Sequence, residues 1–337
     1  MKKAKRIIII AEAGVNHNAS MEMARRMVRE AARAGADYVK FQTAVPELVI
    51  SSIAPKAEYQ KETTGEGQSQ LEMCKAIHLP LSAYEELAEL CREEGIGFMS
   101  TPFDLVSIET LVPLGMDYWK IPSGEITNLP YLRRIASKGG RVILSTGMST
   151  IIEISQAVDI LVNGGIKRKD IYLLHCTTQY PTPYSDVNLR AMESLRKLDV
   201  GGVGYSDHTL GIEVPIAAAA LGADVIEKHF TLDKSLPGPD HRASLDPDEL
   251  AAMVKAVRHI EEALGNGEKR VTDSERPNIE VARKSIVAAR PIAKGELFTE
   301  ENITVKRPGN GISPMEWDNV IGKTASKDFP YDSLIEL

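Results

Sequence analysis

The stretch from Val203 to Leu232, VGYSDHTLGIEVPIAAAALGADVIEKHFTL, limits the choice of fold more than any other part of the chain. Short apolar runs at Val203–Tyr205 and Val225–Ile226 each end in a polar cluster, Ser206-Asp207-His208-Thr209 and Glu227-Lys228-His229. The alanine-rich segment Ile212–Leu221 between them is long enough only for a helix. A strand–helix–strand unit of this length returns its second strand parallel to the first. Both polar clusters therefore leave the sheet at its C-terminal edge. His208 and His229 then stand on neighbouring strand ends, within reach of one metal ion.

The same signature recurs upstream. Ile7–Ala11 runs into Glu12-Ala13-Gly14-Val15-Asn16-His17-Asn18, and Tyr38-Val39 into Lys40-Phe41-Gln42. Ile96–Met99 ends in Ser100-Thr101-Pro102-Phe103, and Tyr118-Trp119 in Lys120-Ile121-Pro122-Ser123-Gly124-Glu125. Val142–Leu144 ends in Ser145-Thr146-Gly147, and Ile171–Leu174 in His175-Cys176-Thr177-Thr178. Helical patterns separate them: Ser20–Ala34, Ser82–Glu94, Leu105–Leu114, Tyr131–Lys138, Ile151–Asn163, Leu189–Leu198 and Ile212–Leu221. Ser20 and Ser82 are expected N-caps, and Gly35, Gly95, Gly115, Gly139, Gly164 and Gly222 are expected C-terminal stops. Eight such units predict an α/β protein with a parallel (β/α)8 TIM barrel, whose active site lies at the C-terminal mouth. A doubly wound open sheet is the alternative, but it rarely puts a polar tip on every strand.

Thr43–Pro80, after the second strand, lacks clean periodicity and reads as a lid, a binding loop or a plain insertion. Asp246–Leu264 is a capped amphipathic helix that would close the barrel. The expected organisation is a barrel over residues 1–265, a charged linker over 266–284, and a small mostly-β domain over 285–337. With so few apolar residues, that last domain should lean on the barrel or on a partner chain.

The 337 residues carry a net charge of −7, which gives no basic footprint for nucleic acid or an anionic membrane. Ile7–Ala11 is too short to span a bilayer, and no signal-peptide pattern follows it. Cys74, Cys91 and Cys176, odd in number and widely spaced, argue against a disulfide framework and for a reducing cytoplasm.

At the strand tips, two neutral imidazoles suit a divalent first-row ion acting as a Lewis acid, with Glu12 or Glu227 completing the shell. Buried histidines that simply hydrogen-bond neighbouring loops are the plainer reading. His175 is a third candidate ligand, whereas His17, His78, His241 and His259 show no partner arrangement. Lys40 and Lys120 end apolar strands, where an unpaired ammonium is costly. With the hydroxyls of Thr101, Ser123, Ser145, Thr146 and Ser206 they outline an anion site. Ser123-Gly124-Glu125 and Ser145-Thr146-Gly147 add backbone N–H groups able to approach a phosphate. A desolvated lysine can also form a Schiff base. The residues thus leave two enzymes open: a metal-assisted carbonyl addition with a phosphorylated substrate, or a Schiff-base aldolase using Lys40, Lys120 or Lys228.

A resemblance narrows the choice. AEAGVNHNAS (Ala11–Ser20), AGADYVKFQT (Ala34–Thr43), STPFD (Ser100–Asp104), KIPSGE (Lys120–Glu125), ILSTGM (Ile143–Met148), LLHCTTQYPTP (Leu173–Pro183), GYSDHTLG (Gly204–Gly211), EKHFT (Glu227–Thr231) and PGPDH (Pro237–His241) resemble the sialic acid synthase family. ARPIAKGELFTEENITVKRPGNG (Ala289–Gly311) resembles that family's antifreeze-like SAF domain. The resemblance implies condensation of phosphoenolpyruvate with the open-chain aldehyde of an N-acetylated mannosamine-type sugar, giving a nine-carbon 2-keto acid and phosphate. It implies a divalent metal, typically Mn²⁺ with Mg²⁺ or Co²⁺ as alternatives, and a homodimer in which each SAF domain caps the partner's barrel. It further implies that His208 and His229 are metal ligands. By the same resemblance Lys40, Lys120, Thr101, Ser123, Ser145 and Ser206 hold phosphoenolpyruvate, and Glu12 handles water or a proton beside the reacting carbons. Gln42, Tyr180, Glu227 and Asp240 become sugar-side groups, and Arg307 is offered to the N-acetyl group. Members using N-acetylmannosamine commonly carry asparagine after His-Cys-Thr, where this chain has Thr178-Gln179. That departure is similar to the N,N′-diacetyllegionaminic acid synthase branch, which takes 2,4-diacetamido-2,4,6-trideoxymannose; N-acetylmannosamine, giving N-acetylneuraminate, is the alternative substrate.

Overall fold

The structure, a computed structural model, describes residues 6–65 and 67–337. They form two compact units, Met1–Asn266 and Gly267–Leu337. In the first, among the described residues, eight parallel strands follow the order β3-β2-β1-β8-β7-β6-β5-β4. They are β1 (Ile8–Gly14), β2 (Tyr38–Thr43), β3 (Gly97–Pro102), β4 (Tyr118–Ile121), β5 (Arg141–Ser145), β6 (Ile171–His175), β7 (Gly202–Asp207) and β8 (Val225–His229). The first strand pairs with the last, and β3 runs beside β4, so the sheet closes into a (β/α)8 barrel.

Two side-chain layers show why this sequence makes a barrel with a site at one end. Successive strand residues point to opposite faces, so positions two apart share the inward face. Inside, Ile10, Met99, Tyr118, Ile143, Leu174 and Val225 form a closed apolar plug. Two positions further along the same strands stand Glu12, Thr101, Lys120, Ser145, Cys176 and Glu227, which line the mouth. Residues of the other parity, such as Ile9, Ala11, Val39, Phe41, Val142 and Leu144, pack outward into the helix-facing core.

The outer helices are α1 (Met21–Ala34), the short α2 (Pro46–Val49), α3 (Glu58–Thr64) and α4 (Gln70–Ile77), then α5 (Ala83–Glu93), α6 (Leu105–Leu111), α7 (Leu129–Lys138), α8 (Ile151–Asn163), α9 (Ala191–Arg196), α10 (Glu213–Ala220) and α11 (Pro247–Leu264). Ser20 caps α1 by accepting from the Met23 N–H, and Gly35 ends the helix in the left-handed region. Asp246 and Glu249 form a capping box on α11, whose Leu250, Met253, Val254 and Val257 are buried. This helix packs against α1 and α10, joining the two ends of the barrel.

Several local expectations change. Ser82 has helical backbone angles and makes no side-chain cap. Gly164 is right-handed, so its C-cap needs no glycine conformation. Pro113 turns the end of the predicted Leu105–Leu114 helix into a 3-10 turn, Val112–Leu114. Pro130 sits in the first turn of α7, where its missing N–H costs nothing, so that helix starts earlier than expected. The segment Thr43–Pro80 is not irregular, because it carries α2, α3 and α4. A Ser69–Glu72 capping box starts α4. Lys56 ties the segment together by donating to Thr64 Oγ1 at 3.1 Å and the Gly65 carbonyl at 2.9 Å.

The second unit pairs β9 (Ser285–Ala288) antiparallel with β10 (Ile303–Lys306). Ile286, Ile292, Phe298, Ile303, Val320, Phe329 and Ile335 are among its own core. Much of the rest is held by isolated bridges and turns. A short helix, α12 (Asn278–Ala282), lies in the stretch read as a linker.

Candidate active site

The barrel register brings the polar tips together. Glu12 lies beside Lys40 on one side and His229 on the other, Gln42 beside Thr101, and Ser206 beside Glu227. A bulge between Glu12 and Gly14 re-aims the end of β1. Gly14 has φ +53, and a Cβ there would press on Glu12 Oε1 and Gln42 Nε2. Glu12, Lys40, Gln42, Thr101, Lys120, Ser123, Ser145, Tyr180, Ser206, His208, Glu227, His229 and Asp240 all line one cavity of about 310 Å³. Arg307 lies in the second unit, before a cis Pro308.

One side of the cavity is charged. Glu12, Lys40, Lys120 and Glu227 are each no more than 4% exposed. Lys40 pairs with Glu12 and donates to Thr101 Oγ1 at 3.1 Å. Lys120 donates to Ser145 Oγ at 2.7 Å. Glu227, expected beside the sugar, sits between the two ammonium groups, 3.8 Å from Lys40 and 3.6 Å from Lys120. It also accepts from Ser206 Oγ at 3.0 Å. Burial pushes Glu227 upward, but Lys120, Lys40 and the Ser206 hydroxyl outweigh it and hold the carboxyl below its ordinary value. Burial lowers Lys40 to about 7 against the pull of Glu227. Ser123 completes this side by accepting from the Gly147 N–H at 2.9 Å. A Cβ on Gly147 would fall 2.3 Å from Thr178 Oγ1, so a side chain there would have to displace Thr178.

On the other side the imidazoles are neutral. The His208 and His229 rings lie 5.4 Å apart. His208 Nδ1 is 2.6 Å from the Thr177 carbonyl, so it carries the proton and leaves Nε2 with a free lone pair. Burial lowers His208 to about 4 and His229 well below the ordinary value. His229 Nδ1 is buried without a hydrogen-bond partner, with Asp240 Oδ2 at 4.0 Å. Burial raises Asp240 to about 6. Tyr180 lies against His208 at 4.1 Å and meets His229 edge-on at 5.6 Å. Tyr59 of α3 packs on Tyr180 at 5.2 Å.

Among the described residues, no group of three or more His, Cys, Asp or Glu is already gathered as a metal cage. The donor set nevertheless fits a divalent ion. Two imidazoles are held neutral, one in a fixed tautomer, and an unpartnered buried nitrogen faces a nearby carboxylate.

Some sequence candidates fall outside the cavity lining. The Thr146 hydroxyl donates to the Leu174 carbonyl, and His175 Nε2 is bound to the Val187 carbonyl at 2.7 Å. Lys228 is fully buried against Asp207 and lines no part of the cavity, which removes it as a Schiff-base candidate. The alternation in Glu227-Lys228-His229 already carried that signal. Conversely, Tyr59, Gln60, Gln70, Met73 and His78 all line the cavity from the long β2 segment. Only the length of that segment hinted at them.

Comparison with known proteins identifies the family. Residues 27–269 match the NeuB family, and residues 283–336 match the SAF domain. The chain is 51% identical to the N,N′-diacetyllegionaminic acid synthase of Campylobacter jejuni, covering 98% of this chain and 99% of that one. It is 48% identical to the enzyme of the same name from Legionella pneumophila, covering 94% and 90%. The crystal structure of the N-acetylneuraminic acid synthetase of Leptospira borgpetersenii, in complex with citrate, aligns at TM-score 0.70 and 36% identity, covering 81% and 90%. The barrel and its mouth therefore define an enzyme of the sugar-acid synthase class. The chain belongs to the NeuB (sialic acid synthase) family and carries a C-terminal SAF domain.

Proposed function

We propose that this enzyme condenses phosphoenolpyruvate with the open-chain aldehyde of 2,4-diacetamido-2,4,6-trideoxymannose, giving N,N′-diacetyllegionaminate and phosphate. The observation that carries the reading is the division of one cavity into a lysine–hydroxyl side and a neutral imidazole side. Two relatives of the legionaminic type, both near half identity over almost the whole chain, support the choice of sugar.

In this proposal Lys40 and Lys120, with Thr101, Ser123, Ser145 and Ser206, hold the phosphate and carboxylate of phosphoenolpyruvate. Its arrival draws the ammonium groups from Glu12 and Glu227 toward the ligand, exchanging one buried ion pair for another. C3 of phosphoenolpyruvate attacks the aldehyde carbon, and the aldehyde oxygen ends with the proton that Glu12 takes from the water adding to C2, while the C2 hydroxyl proton leaves with phosphate. Water adds to C2, with Glu12 taking its proton. The tetrahedral carbon then expels inorganic phosphate by C–O cleavage and leaves the 2-keto group. His208 and His229, with Asp240 or Glu12 as a further donor, would hold a divalent ion, Mn²⁺ in this reading, which supplies Lewis-acid polarisation of the aldehyde oxygen when bound. Gln42, Tyr180 and Asp240 orient the sugar chain.

Thr178 lines the cavity where relatives using N-acetylmannosamine are expected to carry asparagine, and it is the proposed discriminator between the two sugars. Arg307 enters the proposal across a homodimer, reaching an acetamido group from the partner's SAF domain. A cytoplasmic setting belongs to the same reading, resting on the free thiols of Cys74, Cys91 and Cys176. Among the described residues no helix is long and apolar enough to cross a membrane.

The test is phosphate release, with the product's mass, from Mn²⁺-loaded and EDTA-treated protein given phosphoenolpyruvate and either sugar. Turnover with the diacetamido sugar, lost in EDTA, is expected. Preference for N-acetylmannosamine would move the enzyme to the N-acetylneuraminate branch. Turnover that survives EDTA and is trapped by borohydride would replace the mechanism with a Schiff-base one.

A further inference from the structure

Behind the imidazole wall lies an ion pair that the proposed chemistry does not use. Asp207 and Lys228 are each 0% exposed and directly opposed in the β7–β8 register. They alternate with Ser206, Glu227 and His229, so they point away from the cavity toward the helices. Lys228 Nζ donates to Asp207 Oδ2 at 2.5 Å and to the Thr209 carbonyl at 2.5 Å. Asp207 also accepts from the Thr209 hydroxyl at 3.0 Å and the Thr209 N–H at 3.2 Å. His208 is thus gripped on both sides, at Asp207 and Thr209, by the side chain that immediately precedes His229.

A buried ion pair is a poor source of stability, because desolvation offsets much of its Coulomb attraction and apolar residues of similar size often do as well. Its use here is geometric. The network closes a short ring through the β7 tip and the β8 tip, and the next cavity-facing side chain beyond each member of the pair is an imidazole, His208 after Asp207 and His229 after Lys228. We propose that Asp207 and Lys228 are positioning residues whose buried pair sets the spacing of His208 and His229, and with it the affinity of the imidazole pair for a divalent ion. This inference rests on the metal reading given above.

The test compares Mn²⁺ binding, followed by the loss of the free-ion EPR signal, and thermal melting for the full chain, Asp207→Leu/Lys228→Met, Lys228→Met and His208→Ala. Lys228→Met alone strands the Asp207 carboxylate and should melt lowest. The double variant should recover most of that loss yet bind Mn²⁺ 10- to 100-fold more weakly, with phosphoenolpyruvate KM unchanged. Wild-type Mn²⁺ affinity in the double variant, with loss in His208→Ala, would overturn the positioning role and leave the metal reading standing. An unmodified chain that binds no Mn²⁺, or His208→Ala binding as well as wild type, would overturn both. If the double variant does not fold, Thr209→Val removes one bond to Asp207 at nearly constant volume. Several-fold weaker Mn²⁺ binding then supports the proposal, and unchanged binding overturns it.

Discussion

The two sides of the cavity are both buried, yet burial acts on them with different electrostatic results. On the lysine side, Glu227 remains ionised although buried, because Lys40, Lys120 and Ser206 surround it. On the imidazole side, His208 falls to about 4 and Asp240 rises to about 6, because burial acts there without a counter-charge close enough to resist it. Desolvation always favours the neutral form, and only a partner within a few ångströms overrides it. In the proposed reaction an anionic phosphate and a neutral aldehyde would therefore find distinct places in one cavity.

The sharpest way to break this comparison is at the imidazoles. His208→Ala or His229→Ala should lower kcat by ~10³-fold, about 4 kcal/mol of barrier, while phosphoenolpyruvate KM moves little. An equal rise in KM would mean that the two sides are not separate. Next comes Lys120→Met, expected to raise phosphoenolpyruvate KM by ~10²-fold through loss of a buried charged donor. Mn²⁺ affinity in that variant should match wild type, and a comparable loss of metal would count against the division.

The pH dependence follows from Lys40. Its ammonium is needed for the anion and is lost as pH rises through about 7, so kcat/KM for phosphoenolpyruvate should fall above that point. Lys40→Arg, which cannot deprotonate there, should flatten the fall. The same shift sets the sign for stability. Between about 7 and 10.5 the unfolded chain binds more protons than the folded one, so this group makes the protein more stable as pH rises across that window. Lys40→Met also strands Glu12, so its melting temperature should fall, least at or below pH 7 and more as pH rises toward 10.5, and a loss independent of pH would contradict the assignment.

Smaller effects sharpen the sugar side. Arg307→Ala should raise sugar KM by ~10-fold with phosphoenolpyruvate KM unchanged; an unchanged sugar KM removes Arg307 from the site. Thr178→Asn should shift the kcat/KM ratio between the two sugars by only several-fold toward N-acetylmannosamine. No shift would clear Thr178 of any part in selection.

Much of this was legible in the chain itself. Apolar runs followed by polar tips, separated by helix-length segments, require parallel strands with their tips at one edge, and that alone places His208 beside His229. Period-two alternation also sorts side chains into cavity and helix faces, and it separates Lys228 from its neighbours Glu227 and His229. These features are local, and the chain states them within a few residues.

Other features needed contacts between distant segments. Helices of four to eight residues, such as α2, α3 and α4, are too short to show a period, so the cover that brings Tyr59 onto Tyr180 was invisible. The placement of Glu227 between two lysines, and the protonation of each group, depend on distances of 3–4 Å across different strands. The sequence determined which strand residues face the mouth, because strand direction and side-chain parity are local properties. The tertiary structure decided which of them are charged and which pair with one another, because burial and Coulomb energy depend on neighbours that the chain order does not name.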